Sequence, residues 1–596
     1  MSLSVEDRKA LMSVAMGKSA PDAVITGGTL ANVLSGEFHR ADIHLKNGRV
    51  AAVIDGGSDQ VFPPSVKMID ASGKFILPGL IDPHMHLESS SLLPSEFTKA
   101  VAKRGVTTVA IDPHEFGNTL GLKGIRALLD STAQLPLRFF LRVPARVPEL
   151  AADLETPGFI IDDDETEQML RWDEAVCLAG DISPNFILNG DETQLRRMKL
   201  AEDLGRFVSG YVPQLPAAGV DAMVDAGVRD SHVPKTVAEL LLNIRHGLHV
   251  LLTPRPGRFE ADCFRELGEL LRSGKIDSRQ ISLCTDDVLV HELISDGHLD
   301  ARLRMALREG IPPMAAIQMA TINTAQLLAQ PDIGAVSPGR SADILIVSDL
   351  QELVVDSVLF KGEKIVDAGE FIAHVPPSVL PEFTRNTILS MMPTSGDDLR
   401  IPADARESSV LCNVLVASHP KTIEISEIGI RDGTLRPDPA RNIAAVAVVE
   451  RYHNSGRIGR GFVKGFGLQR GAVSSSTNHN NHHVFAIGAD YDDMQMALAE
   501  LKAMGGGYVT VLDGKVIGRL ALPVMGMISD LPAEDLAAEM IEFERTMVED
   551  LGCSGMKRPM YALNFLCSPV VMNYGITDLG LVDSVNMERV ALFVEN

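Results

Sequence analysis

Cysteine is scarce in this chain and nowhere paired. The 596 residues hold six cysteines, Cys177, Cys263, Cys284, Cys412, Cys553 and Cys567, with no Cys-x-x-Cys among them. That pattern suits free thiols in a reducing compartment. Long apolar runs are also missing. No stretch of about 18 apolar residues occurs, so no membrane span is expected. Positive charge is in deficit, with 55 Lys and Arg against 79 Asp and Glu, a net charge of −24. A polyanion such as nucleic acid is therefore a poor partner, since its binding rests on neutralising phosphates. Gly505-Gly506-Gly507 and Gly456-Arg457-Ile458-Gly459 lack the Lys-Ser/Thr of a P-loop and the GxGxxG of a dinucleotide fold. Residues 1–18 mix Glu6, Asp7, Arg8 and Lys9 with Leu11, Met12 and Val14, which reads as an amphipathic helix and not as a signal peptide. The expected location is the cytoplasm.

What is present is ordinary for a globular protein: 45% hydrophobic and 22% charged residues. At roughly 100–200 residues per domain, the length allows about two to four domains. The first, residues 1–74, reads as a helix followed by short strands. Ala41-Asp42-Ile43-His44-Leu45 alternates and stops at Asn47-Gly48, a hairpin signal.

From Phe75 the texture changes to strands alternating with helices, including predicted helices over 95–104, capped by Ser95, and over 236–245 and 260–272. About eight such units over about 250 residues predict a TIM-type (β/α)8 barrel across 75–333. A helix is predicted over 314–328. Strand texture resumes across 334–380 and is expected to rejoin the N-terminal layer, so that the barrel is inserted into a small β-sandwich. Prolines 376, 377, 381, 393 and 402 mark a linker, and 381–596 reads as a C-terminal α/β domain.

The stretch around which the chain is organised is Asp82-Pro83-His84-Met85-His86-Leu87-Glu88. On a strand, residues i and i+2 point to the same side, so His84 and His86 project together, as two imidazoles closing on one metal ion must. His84, His86, Asp112, His114, Asp181, Tyr211, His232 and Asp286 all fall at or just after predicted strand ends. In such barrels chemistry gathers there. His479, His482 and His483 have the i, i+3, i+4 spacing of a helical face, but the Ser474–Thr477 run and the asparagines around them read as a loop.

Pro78-Gly79-Leu80-Ile81-Asp82-Pro83-His84-Met85-His86, the late Asp286 and the Gly334–Ile344 return resemble the amidohydrolase superfamily. Within it, His84–Ser90, Asp112-Pro113-His114-Glu115, 320–324, Gly459–Gly467 and 478–482 resemble the adenine deaminases, over nearly the whole chain. The resemblance implies deamination of adenine to hypoxanthine and ammonia, by a metal-bound hydroxide attacking C6. It implies metal ligands His84, His86, Asp181, His232 and Asp286, with Asp286 also moving the proton, and Glu88 contacting a ring nitrogen. His114, Glu115, Tyr211, His479 and His482 become candidates for lining the substrate. The implied cofactor is a divalent metal, Mn, Fe or Zn, one or two ions per chain, and the implied partner is a purine base, with a homodimer or higher homo-oligomer as assembly.

Three positions depart from the family pattern. Gly180-Asp181 stands for Gly-Glu, Gly210-Tyr211-Val212-Pro213 for Gly-His-Ala-Pro, and Asp230-Ser231-His232-Val233 for Ser-Asp-His-Glu. The first metal position keeps its ligands, and the second loses an imidazole to a phenol. Pro-Cys-x-x-Cys, the mark of zinc-cysteine base deaminases, is absent. Two other readings stay open: an amidohydrolase acting on a different aminated heterocycle or a cyclic amide, and a catalytically reduced barrel serving as a scaffold.

Overall fold

The computed structural model describes residues 3–57, 60–179, 184–255, 257–392, 394–418, 420–479, 482–570 and 573–594. The opening helix, Val5–Ala15, starts where the Ser4 hydroxyl accepts the Asp7 N–H at 3.0 Å. It buries Leu11 and Val14, as its amphipathic pattern predicts.

The N-terminal strands do rejoin the returning ones. Phe75–Pro78 pairs antiparallel with Ile344–Asp349, with Pro78 opposite Ile344 and Phe75 opposite Val347. The layer expected as a small β-sandwich is one nine-stranded mixed sheet by its hydrogen bonding. The Asn47-Gly48 turn has φ of 49° and 71°, and Lys46 faces Arg49 across it, the two-residue hairpin the sequence signals.

Eight parallel strands follow among the described residues: β1 (Leu80–Met85), β2 (Val106–Ile111), β3 (Arg138–Val143), β4 (Ala175–Leu178), β5 (Phe207–Val208), β6 (Asp230–Ser231), β7 (His249–Leu252) and β8 (Ile281–Leu283). They stand as a five-stranded sheet, β5 to β1 in order, and a three-stranded sheet, β6 to β8. Single parallel bridges link the two at both edges, Val208 to Val228 and Met85 to Asp286. Every residue of β1 and β2 is buried. Strands covered on both faces need not alternate apolar and polar residues.

Helices pack between the strands, with Val237–Arg245 and Ala261–Arg272 close to their predicted spans. Two expectations change. The helix predicted to start at a Ser95 cap is Pro94–Ala102, with Pro94 in its first turn. Proline is pre-set for that position. Ser95 instead exchanges reciprocal 3.0 Å hydrogen bonds with Ser378, tying the helix to the chain that leaves the mixed sheet. The helix predicted over 314–328 is two helices, Pro313–Met319 and Ile322–Leu327. The break frees the Ala320 carbonyl to accept the Ile81 N–H of β1 at 2.9 Å.

The C-terminal part is built on a second nine-stranded sheet, with Ile443–Val449 and Val484–Gly488 near its centre. Helices Tyr491–Met504 and Ala533–Arg545 belong to this part. Its core is continuous with that of the parallel strands through Leu87, Leu92, Met525, Ile528, Met540 and Phe543. A fully buried side chain of this kind contributes about 1.5–3 kcal/mol. The C-terminal part is thereby fixed over the carboxyl ends of the parallel strands.

Candidate active site

His84 and His86 leave the end of β1 on one side, as their spacing requires. The Nε2 atoms lie 3.3 Å and 3.4 Å from the same oxygen, Asp286 Oδ1. Backbone bonds stitch the two segments: Asp286 N–H to the His84 carbonyl at 3.0 Å and His86 N–H to the Asp286 carbonyl at 3.2 Å. Asp286 holds φ of +60°, an uncommon conformation for a residue with a Cβ. His86 Nδ1 is 3.0 Å from the Asp112 carbonyl. Donation there leaves Nε2 with its lone pair toward Asp286, the usual device for orienting a ligand imidazole. Asp112 is thus the orienting group and not itself at the centre.

Behind His84 lies Asp82, wholly buried. It accepts the His84 N–H at 3.2 Å and the Thr285 hydroxyl at 2.5 Å. Burial pushes its carboxyl up to about 6, against those hydrogen bonds. The His232 ring stacks 4.4 Å from that of His84. Ligand atoms of His84, His232 and Asp286 all lie within 4.8 Å of one another, and all three residues are buried. Three such donors converging in a buried pocket fit a divalent ion. Asp181, the remaining expected ligand, lies outside the described residues.

Asp286 is also held by cations. Arg255 Nη2 donates to Asp286 Oδ2 at 2.7 Å, and Arg258 Nη2 is 4.0 Å from the same oxygen. Burial opposes the charge on Asp286, and Arg255 followed by the two histidines outweighs it, so the carboxyl is held well below its ordinary range. Ser89 donates to Asp287 at 2.5 Å.

Tyr211 stands on the His232 side of the cluster. Its ring centre is 5.8 Å from that of His232, and it forms part of the wall of a cavity of about 310 Å³. Glu149, Val233 and Arg258 share that wall, as do Val570 and Met587 from the C-terminal part.

A second cluster adjoins the first through His86. The His86 and His114 rings are 5.0 Å apart, and the His114 and His479 rings 5.2 Å. Glu115 contacts His479 Nδ1, and His482 Nε2 lies 3.5 Å from the same carboxylate oxygen. Burial works against the Glu115 charge, and the two imidazoles overcome it and hold the carboxyl low. Glu88 faces them. Burial first, and the Glu115 charge second, push its carboxyl up to about 8. Among the described residues neither His479 nor His482 belongs to a helix, as the flanking residues implied. His482 is pinned by the fully buried Arg451, which donates to the His482 carbonyl at 3.0 Å and the Met525 carbonyl at 2.7 Å. His483 turns away toward Asp578, 3.4 Å off.

Arg255, Arg258 and Glu149 were not anticipated from the sequence. The available signal was position: Arg255 and Arg258 fall just after β7, at the end of the strands where chemistry gathers.

The residues 75–204 and 214–365 match the model of the amidohydrolase family, and 421–588 match that of the adenine deaminase C-terminal domain. The chain is 34% identical to an adenine deaminase of Moorella thermoacetica, over 98% of each chain. It is 33% identical to one of Paracoccus denitrificans, over 99% of this chain and 98% of the other. Among solved structures, a dihydropyrimidinase from Brevibacillus agri aligns at a TM-score of 0.45 and 16% identity, over 59% of this chain and 96% of the other.

Proposed function

The chain belongs to the adenine deaminase family of the amidohydrolases, and from that premise we propose that it hydrolyses adenine to hypoxanthine and ammonia. The observation that carries the reading is the convergence of His84, His232 and Asp286 ligand atoms within 4.8 Å, with His86 sharing the same aspartate oxygen.

His84, His86, His232 and Asp286 would hold a divalent ion, whose chemistry would be to lower the pKa of water from about 15.7 to about 7. The remaining work falls to the side chains. Asp286, kept ionised by Arg255, accepts a proton from the attacking water and delivers it to the departing amine. Glu88, kept protonated by burial, donates to the ring nitrogen beside C6. It recovers a proton from the new hydroxyl as the carbonyl forms and the carbon–nitrogen bond breaks. The sum is one adenine and one water giving one hypoxanthine and one ammonia. Asp181 keeps its place as a ligand on sequence grounds. Tyr211 and Val233 form the apolar wall for the ring, and Glu115, His479 and His482 the polar one, with His114 packed against His479.

We read β1–β8 as one closed (β/α)8 barrel across 75–333, with 1–74 and 334–380 forming the mixed sheet and 381–596 the C-terminal domain. The bridges at both edges of the two parallel sheets support the closure.

A second reading keeps the chemistry and changes the ring. Lys235 and Arg258 line the larger cavity, and Arg258 Nη1 is buried with no hydrogen-bond partner among the described residues. Those cations favour an aminated heterocycle bearing an acidic group.

The test is an ammonia-release assay with hypoxanthine detection on metal-replete protein, run on adenine beside carboxylated aminoheterocycles. Turnover of adenine supports the first reading. Turnover of the acidic ring alone replaces it with the second, and ammonia from neither sinks both.

A further inference from the structure

Where the C-terminal part meets the ends of β1 and β2 there is a cavity of about 20 Å³. A cavity needs roughly 10–15 Å³ of such space to admit one water. The room is therefore for a guest of atomic size and not for a heterocycle. Its lining is chemically unusual for so small a space: Glu88 and Glu115 from one side, His479 and His482 from the other.

Three further observations point to the guest. Ligand atoms of His114, Glu115 and His479 all lie within 4.8 Å of one another, with all three residues buried. Glu88 is only 3% exposed, and neither of its carboxylate oxygens has a hydrogen-bond partner among the described residues. A buried carboxyl left without partners costs folding free energy unless something meets it. The backbone that carries the two imidazoles is held in place from behind. The His479 N–H donates to the Asn564 carbonyl at 2.9 Å, and Arg451 grips the His482 carbonyl. Imidazole with carboxylate is the donor set of zinc, iron or manganese.

We propose that a divalent cation binds here, apart from the one at His84, His232 and Asp286. Glu115 and His479 are its primary ligands, His114 and His482 complete the set, and Glu88, which keeps its proton, faces the ion across the cavity without joining it. His114 and Glu115 come from the parallel-strand part, and the two late histidines come from the C-terminal part. The ion therefore clasps the two parts together beside His86. It also gives the chain a second cation without using Asp181 or Tyr211, where the sequence departs from the family pattern. His114, Glu115, His479 and His482 then face a substrate through the ion and not as bare hydrogen-bonding groups. The inference does not depend on which ring is deaminated, because it is read from ion binding alone.

The experiment strips the full-length protein with chelator, reloads it with Zn²⁺ and counts ions per chain by elemental analysis after gel filtration. Glu115→Gln and His479→Asn are each expected to bind one ion fewer than the unmodified protein. His232→Asn is expected to lose a different ion, so that the Glu115→Gln/His232→Asn pair loses both. Equal counts in Glu115→Gln and the unmodified protein overturn the proposal. Should the variants misfold, crystals of the unmodified protein loaded with Zn²⁺ decide it by anomalous diffraction. A peak touching Glu115 and His479 supports the site, and a sole peak at His84 and Asp286 overturns it. A protein that releases no ammonia from adenine but shows both peaks would sink the deaminase reading and leave this one standing.

Discussion

Arg255 and Asp286 form a buried ion pair in which the aspartate is divided between two tasks. Its Oδ2 accepts from Arg255 at 2.7 Å, while Oδ1 faces His84 and His86. The guanidinium is itself held by Asp287, 3.7 Å away, and lies against the Tyr561 ring of the C-terminal part. Asp286 is thereby fixed in orientation as well as in charge.

Replacing Arg255 by Gln keeps a donor of shorter reach and removes the charge. Orienting partners of this kind are worth about 10–100-fold in activity or metal affinity. The sign of the pH effect follows from the direction of the Asp286 shift. Arg255 holds that carboxyl low, so its loss raises it. Asp286 then protonates at a higher pH, and the acid limb of kcat/KM moves upward. A profile of Arg255→Gln with an unmoved acid limb would show that Arg255 only packs.

Tyr211→Phe separates a wall residue from a metal ligand. Tyr211 stands 5.8 Å from the His232 ring, on the side of the larger cavity. Loss of one hydroxyl contact to a substrate is worth about 0.5–1.5 kcal/mol, or about 2–10-fold in KM. The bound ion count, taken by elemental analysis, is expected to stay unchanged. A drop by one ion would place the phenol oxygen in the coordination sphere.

These residues show how far the sequence alone could be read. His84 and His86 were legible because a strand end and an i, i+2 spacing fix their direction without any knowledge of the rest. Asp286 was legible only through the family pattern, and its meeting with His84 depends on the edge of β8 reaching that of β1. Arg255 was not legible, since its partner is 31 residues away and across a strand. The meeting of His479 with Glu115 spans 364 residues and two separate sheets, so no local pattern could signal it. The mixed sheet was legible as strands but not in its pairing order, because that order is set by tertiary contacts and not by alternation. Ser95 illustrates a local rule outbid: a serine ahead of an apolar run is a good cap, but Pro94 one residue earlier had already begun the helix.

Gly459 belongs to one of the glycine-rich stretches that carry no phosphate-loop signature. Its role is close packing. A Cβ built there would sit 1.8 Å from the Thr577 carbonyl oxygen, on the backbone of a neighbouring strand. Neither backbone can yield cheaply. Gly459→Ala is expected to destabilise the protein by about 1–3 kcal/mol, the ordinary range for overpacking. The check is the shift of the denaturant midpoint at constant slope. A midpoint within error of the unmodified protein would mean that the strands separate there at no cost.

Lys421 supplies a pH dependence that does not involve the metal site. Its amine is wholly enclosed and donates to the Phe565 carbonyl at 2.5 Å and the Ser568 carbonyl at 2.6 Å. Burial pulls it down to about 7 from the ordinary 10.5. The unfolded chain therefore binds more protons than the folded one between about pH 7 and about pH 10.5, and stability rises with pH across that window. Each unit of pH within it contributes up to about 1.4 kcal/mol. Below the window both states are charged, and the full cost of burying the ammonium remains. Lys421→Met removes the titrating group and leaves two carbonyls to find other donors. Denaturation at pH 7 and pH 9.5 is expected to show a clear gain in stability for the unmodified protein and a much smaller one for the variant. Parallel gains in both would assign the rise to other groups and leave Lys421 charged in its enclosure, its ammonium satisfied by the carbonyls that surround it.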